Sequence, residues 1–300
     1  MTQIALGIEP GGPNESKRSA LAALTLEPSG TIGLHLEAQS CQKPDLRKFL
    51  VRDALLTDER LRLVALAAPL TPAHLQRKPG VARWVEISFS RGAFSGSERG
   101  PQPPWLSNGR TGWRRYQEGM QLLDLVRQRG FSLLEMPPEG VAPELPARCC
   151  AEVYPKATLS LLLPRKLLLD RPRAYQFMGQ LDDWLFPQAF LPVSEGASST
   201  LIEEVFQDLF PWLGLAPEVI AEARRIAGLR RPSSRCEPLR AFLGALQGVL
   251  ALAGAAGLLG LAGEGEGTYL LPRVWHPDWE AAWRDSLRDR DIEKMRRVHV

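Results

Sequence analysis

The sequence has little of the chemistry that zinc and redox sites use. Its 300 residues include four cysteines and four histidines. The histidines are scattered without the spacing of metal ligands, which argues against a histidine-based site. The cysteines are Cys41, Cys149, Cys150 and Cys236. They form no CxxC pair, and adjacent residues such as Cys149 and Cys150 rarely form a disulfide with each other. This pattern argues against a zinc ribbon and predicts a reduced, cytoplasmic protein.

Strong charge of one sign is also missing. The formal net charge is +3, so attraction to a polyanion would have to come from local patches. No GxxxxGK[ST] motif is present: "GEGEG" precedes a predicted strand, which argues against a phosphate cradle of the Walker type. The first residues lack a basic stretch before their short apolar run, so no signal peptide is expected. With 44% apolar residues, the composition predicts a folded globular protein, by default one large α/β domain.

One long uncharged stretch, residues 241–263, requires a test against a membrane span. It reads "AFLGALQGVLALAGAAGLLGLAG" and has the length to cross a bilayer. Its many glycines make it less hydrophobic, and a poorer helix former, than a membrane-spanning helix would be. Glycine also suits close packing of a helix beneath a sheet. The composition therefore favours a buried core helix followed by a glycine-rich turn, and we expect no membrane partner.

The order of predicted elements points to one fold. "IALGI", "SALAALTLE" and "TIGLHLEA" predict three meandering strands, the last two joined by the turn signal "PSG". A helix follows in "PDLRKFLVRDALL", then a buried strand in "LRLVALAAPL". A basic, turn-rich excursion over 71–104, a helix ended by Gly130, the strand "CCAEVYP" and the late apolar helix complete the core. This is the order of a ribonuclease H-like mixed sheet flanked by helices.

Several segments also resemble, in sequence order, a known family. They are "ALGIEPGG", "VALAAPLTP", "RWVE", "AEVYPKATLSLL", "CEPLRAFLGAL" and "GEGEGTYLLP". In that order they are similar to landmarks of domain-of-unknown-function family 429, described as predicted ribonuclease H-like nucleases. The resemblance covers Ile4 to Pro272 and implies that the late apolar helix is a core helix of a soluble domain.

The resemblance implies a site at the ends of adjacent strands. Two-metal hydrolysis of a phosphodiester needs several carboxylates that hold Mg²⁺ or Mn²⁺ ions roughly 4 Å apart. The first strand of the family pattern ends in Gly-Ile-Asp, where this chain has Glu9. The second reads Ile-Asp-Ala-Pro-Leu, and Ala67 stands at the position of the acid. We therefore interpret Ala67 as a vacated catalytic position.

The late helix departs from the family pattern as well. His-Asp-Ala-Leu-Asp-Ala corresponds to "CEPLRA", where Cys236 replaces the histidine, Glu237 keeps an acid and Arg240 replaces the second aspartate. A cation at that position repels any nearby Mg²⁺. The resemblance thus implies a site that has lost two of its acids.

The residues that could still act are few, and each has a plainer interpretation. Glu9, Glu152 and Glu237 are the candidate catalytic acids, with Glu9 and Glu152 as candidate ligands of Mg or Mn. They could instead be a turn acid, a partner of an arginine and an acid beside a helix dipole, respectively. The candidate nucleic-acid-binding residues, otherwise an ion pair or solvated charges, are Arg83, Glu86, Arg114, Arg115 and Lys156.

Three functional hypotheses follow. The first is a degenerate ribonuclease H-like protein that binds DNA or RNA without efficient cleavage. The second is an active nuclease that depends on Mg or Mn and uses Glu9, Glu152 and Glu237. The third is a non-catalytic module that binds a protein through its C-terminal helix, which bears tryptophans. The predicted organisation is a domain over 1–275, with a helical insertion at about 165–230 and a charged amphipathic helix over 276–300.

Overall fold

The structure, a computed structural model, describes residues 1–10, 18–52, 54–70, 85, 110–162, 201–227, 232–260, 267–288 and 295–300. The excursion predicted over 71–104 lies outside the described residues except for Val85. The predicted insertion at about 165–230 is described from residue 201 to residue 227. There two helices flank a two-residue strand.

The described elements begin with three consecutive strands, a helix and a fourth strand, in the order that the sequence predicts. The strands are β1 Gln3–Glu9, β2 Arg18–Leu26, β3 Thr31–Gln42, β4 Leu61–Leu66, β5 Ser132–Leu133, β6 Cys149–Glu152, β7 Gly214–Leu215, β8 Ala256–Gly260, β9 Thr268–Pro272 and β10 Arg296–His299. The helices are α1 Lys43–Arg52, α2 Arg110–Arg127, α3 Pro155–Leu162, α4 Leu201–Leu209, α5 Pro217–Ala227, α6 Pro232–Leu252 and α7 Pro277–Ser286. A 3₁₀ turn covers Ala54–Thr57.

Seven of the described strands form one mixed sheet, which confirms the α/β class. Their order is β5-β6-β4-β1-β2-β3-β7. β2 runs antiparallel to β1 and β3, as the meander predicts, and the other neighbours in the sheet are parallel. The turn between β2 and β3 uses Gly30 at a φ of 85°, a conformation that glycine adopts without strain. Parallel β1, β4 and β6 therefore all end at one edge of the sheet, called here the carboxyl edge.

A second sheet, of order β10-β8-β9, corrects two predictions about the C-terminal third. The apolar stretch 241–263 is helical only to Leu252, because Gly254 adopts a φ of 69° and its N–H donates to the Ala251 carbonyl. The residues that follow form β8 instead of a turn. The tail over 276–300 is not one helix: α7 ends at Ser286, and β10 pairs antiparallel with β8.

Two apolar cores cover the two faces of the main sheet. The α6-side core includes Ala5, Ala65 and Leu246, together with side chains from α3, α5 and α7. The α2-side core includes Leu6 and Leu123, together with side chains from α1. Alternation along each strand therefore decides which face, and which set of helices, a side chain meets. Within the described ranges, every helix lacks either the length or the hydropathy to cross a bilayer.

The tryptophans of α7 belong to the protein's own core. Trp279 and Trp283 are 0% and 5% exposed and pack in the α6-side core. The ring of Trp283 meets that of Trp275 edge to face, with centroids 5.8 Å apart. The indole rings of Trp279 and Trp283 are therefore not available to a protein partner, and a contact through the rest of the C-terminal helix stays a prediction.

Candidate functional site

Glu9 and Ala67 are neighbours at the carboxyl edge. The parallel pairing of β1 with β4 sets Ile8 opposite Leu66. The pairing continues for one more hydrogen bond, since the Ala67 N–H donates to the Ile8 carbonyl at 2.9 Å. The position that the family resemblance assigns to an acid thus lies directly beside Glu9, on the adjacent strand.

Both side chains also lie on the same face of the sheet. Ile4, Leu6 and Ile8 pack in the α2-side core, whereas Ala5 packs in the α6-side core. Because strand residues alternate between faces, Glu9 is on the α6 side. Ala67 is itself a member of the α6-side core. Glu9 is 0% exposed, so its carboxylate has been removed from bulk water.

Helix α6 lies directly on the backbone of β1. A Cβ added to Gly7 would lie 2.0 Å from the Ala241 carbonyl oxygen and 2.4 Å from the Ala245 nitrogen. A Cβ added to Gly248 would lie 2.7 Å from the Cβ of Ala5. Later strand residues therefore meet earlier helix residues, and α6 runs antiparallel to β1. The glycine two residues before Glu9 in "IALGIE" is the sequence signal for this contact, which sequence reasoning missed.

This packing carries the start of α6 over Glu9 and Ala67. From Gly7 to Glu9 the strand advances about 6.6 Å, a rise that takes four to five residues of helix. The helix residues that lie over Gly7 are Ala241 to Ala245. Four to five residues earlier, α6 contains Glu237 and Arg240. Both are buried, with exposures of 2% and 9%. They are three residues apart on the helix and so neighbour each other.

Glu237 does not lie at the start of its helix. Helix α6 begins at Pro232, and its first turn contains no acid. The interaction of a carboxylate with the helix dipole falls off within that first turn. The plainer interpretation of Glu237, as an acid placed for the helix dipole, is therefore not supported by its position.

Glu152 lies on the other face of the sheet from Glu9. Along β6, Cys149 and Ala151 pack in the α6-side core and Cys150 packs in the α2-side core. Alternation therefore places Glu152 on the α2 side. Its carboxylate accepts a hydrogen bond from the Leu70 N–H at 3.0 Å, at an exposure of 3%. This contact holds the turn after β4, and the structure does not bring Glu152 to the face that Glu9 and Glu237 share.

The structure describes three of the five candidate nucleic-acid-binding residues. Arg83 and Glu86 lie outside the described residues. Lys156 is the second residue of α3, which follows β6 at the carboxyl edge. Arg114 and Arg115 lie in α2 about one turn before Gly119, where an added Cβ would be 2.7 Å from the Pro69 carbonyl oxygen. The backbone therefore brings these three basic positions to the same edge as Glu9.

Three cysteines, Cys41, Cys149 and Cys150, have thiols that stay protonated at neutral pH. Burial raises the pKa of the Cys149 thiol to about 12 and that of Cys41 to about 11, and it also raises the pKa of Cys150. A thiol must ionise before it acts as a nucleophile or as a metal ligand. These side chains therefore serve as packing residues.

The described residues do not fit a pair of divalent ions. Ala67 supplies no side-chain oxygen, Glu152 lies on the opposite face, and Arg240 brings a positive charge to the same turn region as Glu237. Among all residues that the structure describes, no group of three or more histidine, cysteine or acidic side chains is arranged to hold a metal ion. Two-metal hydrolysis requires several converging carboxylates.

Comparison with known proteins returns no match: no family model, no curated protein and no solved structure corresponds to this chain. The functional proposal therefore rests on the fold and on the geometry of the carboxyl edge.

Proposed function

We propose that this chain is a ribonuclease H-like protein, similar to family 429, that binds nucleic acid at its carboxyl edge and does not cleave it efficiently. The order of its elements supports the fold: a three-strand meander, a helix, β4, a helical crossover, β6 and a late helix across the sheet. Antiparallel β2 between β1 and β3, with β4 and β6 parallel to β1, is the arrangement this proposal requires.

One observation is the main support for the proposed loss of cleavage. Glu9 and Ala67 are adjacent at the ends of parallel strands, on the one face that the start of α6 covers. An aspartate at position 67 would have stood beside Glu9, where two carboxylates could share a divalent ion. Alanine there removes a ligand from the centre of the site, which cripples a mechanism that depends on two ions.

The placement of basic residues supports nucleic-acid binding. Lys156 lies in the first turn of α3, which begins at the carboxyl edge, and Arg114 and Arg115 lie about one turn before the point where α2 meets Pro69. Contacts of arginine and lysine with phosphate groups supply most of the affinity of sequence-independent nucleic-acid binding. A nucleic acid held along this edge would pass the positions of Glu9 and Ala67 without meeting a metal pair.

The test is fluorescence anisotropy of labelled single-stranded and duplex oligonucleotides across a salt series. We expect the affinity to fall steeply as salt rises, because phosphate contacts release counterions. The double variant Arg114→Ala/Arg115→Ala should flatten the logarithmic salt slope by about 1 to 2. Arg60→Ala is the matched control: Arg60 lies beside the start of β4, at the opposite edge of the sheet, and pairs with Asp58 at 2.8 Å.

The same oligonucleotides, incubated with Mg²⁺ or Mn²⁺, test the absence of cleavage. We expect them to stay intact. Cleavage by purified protein that Glu9→Gln abolishes would refute the proposal and favour the active nuclease. Absent binding, or binding that salt does not weaken, would refute nucleic-acid recognition.

A further inference from the structure

Arg240 is a buried cation at the point where the site has lost its acids. Among the described residues, Arg240 is the one basic residue whose side chain is buried, with an exposure of 9%. Burying a guanidinium away from water is costly unless negative groups face it. The surroundings of Arg240 must therefore contain a compensating charge.

Two buried carboxylates lie in those surroundings. Glu9 projects from β1 toward α6, and Glu237 lies one turn before Arg240 on α6. The other buried acids of the described residues are placed elsewhere: Glu152 on the opposite face with the Leu70 amide, and Glu222 on α5 with Arg225 at 2.5 Å. Among the buried acids of the described residues, Glu9 and Glu237 are thus the two placed on or beneath the same part of α6 as Arg240.

The small side chain of Ala67 provides the room for this arrangement. Two residues earlier, α6 packs so closely that Gly7 can carry no side chain. Further along, Glu9 and Ala67 form the floor beneath the start of α6, and Ala67 occupies only a methyl group of that space. An arginine side chain is long enough to fill the remainder, and its planar guanidinium can bond two carboxylates at once.

From these observations we infer that the Arg240 guanidinium is a built-in counter-ion, held over Ala67 between the Glu9 and Glu237 carboxylates where a divalent cation would otherwise lie. Ala67 and Arg240 then form a compensating pair: one removes a negative charge and makes space, and the other fills that space with a positive charge. This inference deepens the proposed function, since it states what replaces the metal.

The test is a set of thermal unfolding midpoints for Glu237→Gln in three backgrounds: wild type, Arg240→Ala and Arg240→Lys. In the wild type, Glu237→Gln removes a partner of the guanidinium and should lower the midpoint by roughly 5–10 °C. In Arg240→Ala, the same change removes a buried charge that has lost its counter-ion, and it should raise the midpoint. In Arg240→Lys the positive charge remains, so Glu237→Gln should again lower the midpoint.

Glu152→Gln is the matched control. Glu152 is a buried glutamate at the same edge, but it lies on the other face with its own amide donor. Its effect on the midpoint should be the same in all three backgrounds, because the sheet separates Glu152 from Arg240 and the effects of separated sites add.

The reversal of sign decides the inference. If Arg240→Ala fails to fold and Arg240→Ala/Glu237→Gln regains a cooperative transition, the inference is supported. If Glu237→Gln has the same effect with and without Arg240, or if both Arg240→Ala proteins fail equally, the inference is wrong. No nucleic acid is present in these measurements, so their failure is distinguishable from a failure of oligonucleotide binding.

Discussion

A single methyl group at Gly7 should push helix α6 away from strand β1. The added Cβ of Gly7→Ala would lie 2.0 Å from the Ala241 carbonyl oxygen, whereas ordinary contact begins at 3.4 Å. The nearest atoms belong to the backbone of a buried helix, so no side chain can rotate away to relieve the clash. Overpacking in cores costs about 1–3 kcal/mol and more where backbone must move. We expect a loss of at least about 3 kcal/mol in the free energy of unfolding.

The opposite result is expected for the glycine across the contact. A Cβ added to Gly244 would lie 3.5 Å from the Cα of Gly7, an ordinary contact distance. In a helix, alanine is favoured over glycine by about 0.8–1 kcal/mol. Gly244→Ala should therefore leave the stability unchanged or raise it by up to about 1 kcal/mol. Gly214→Ala, where an added Cβ meets nothing within 4 Å, is the neutral control.

Urea unfolding followed by far-ultraviolet circular dichroism measures all three variants. The midpoints should fall in the order Gly244→Ala, Gly214→Ala, Gly7→Ala, from high to low. A Gly7→Ala protein as stable as the wild type would show that α6 does not lie against the backbone of β1. The placement of Glu237 and Arg240 over Ala67 would then lose its basis.

Three further predictions concern buried polar and sulfur groups elsewhere. Glu222→Ala should lower the free energy of unfolding, measured with urea, by about 2–3 kcal/mol. The Glu222 carboxylate accepts a hydrogen bond from the Ala38 N–H at 2.5 Å, and the variant leaves that buried amide unsatisfied. Glu37→Ala, which changes an exposed residue, should leave the free energy of unfolding unchanged. Gln247→Met should stabilise by about 1 kcal/mol, since the carboxamide is 0% exposed and neither of its polar atoms has a hydrogen-bond partner among the described residues; a lower midpoint would contradict this. Cys149 should resist iodoacetamide at pH 8 in the folded protein and react once urea unfolds it, because burial raises its pKa to about 12; modification of native Cys149 would show that the thiol is accessible.

The first half of the fold followed from local patterns because its signals are strong. β1, β4 and β6 are short apolar runs, β2 and β3 are joined by the turn signal "PSG", and α2 has a clear amphipathic period before Gly130. These signals depend on neighbouring residues alone, so a sequence is enough to find them. The meander and the ends of β1 and β4 could be predicted for that reason.

In the C-terminal third, β8 and β10 could not be predicted because these two strands depend on tertiary partners. β8 is an Ala-Gly-Leu segment whose composition also suits a helix, and it becomes a strand by pairing with β9 and β10. β10 carries two arginines and a histidine, and it joins the sheet through its backbone. Pairing between segments distant in sequence leaves little trace in either one.

The candidate site shows the same division. The strand pattern places Glu9 and Ala67 at strand ends, and the family resemblance implies that those two strands are neighbours. The face of Glu152 depends on the phase of alternation in a four-residue strand, and a shift of one residue reverses it. The close approach of α6 to β1 is a property of packing that only the three-dimensional structure reveals.

Calorimetric titration with Mn²⁺ tests most directly whether this edge has lost its metal pair. We expect the wild-type protein to show no heat of binding into the millimolar range, and Ala67→Asp/Arg240→Asp, which restores both acids, to gain a measurable site. Wild-type protein that binds two Mn²⁺ ions per chain, and loses them in Glu9→Gln, would contradict the account.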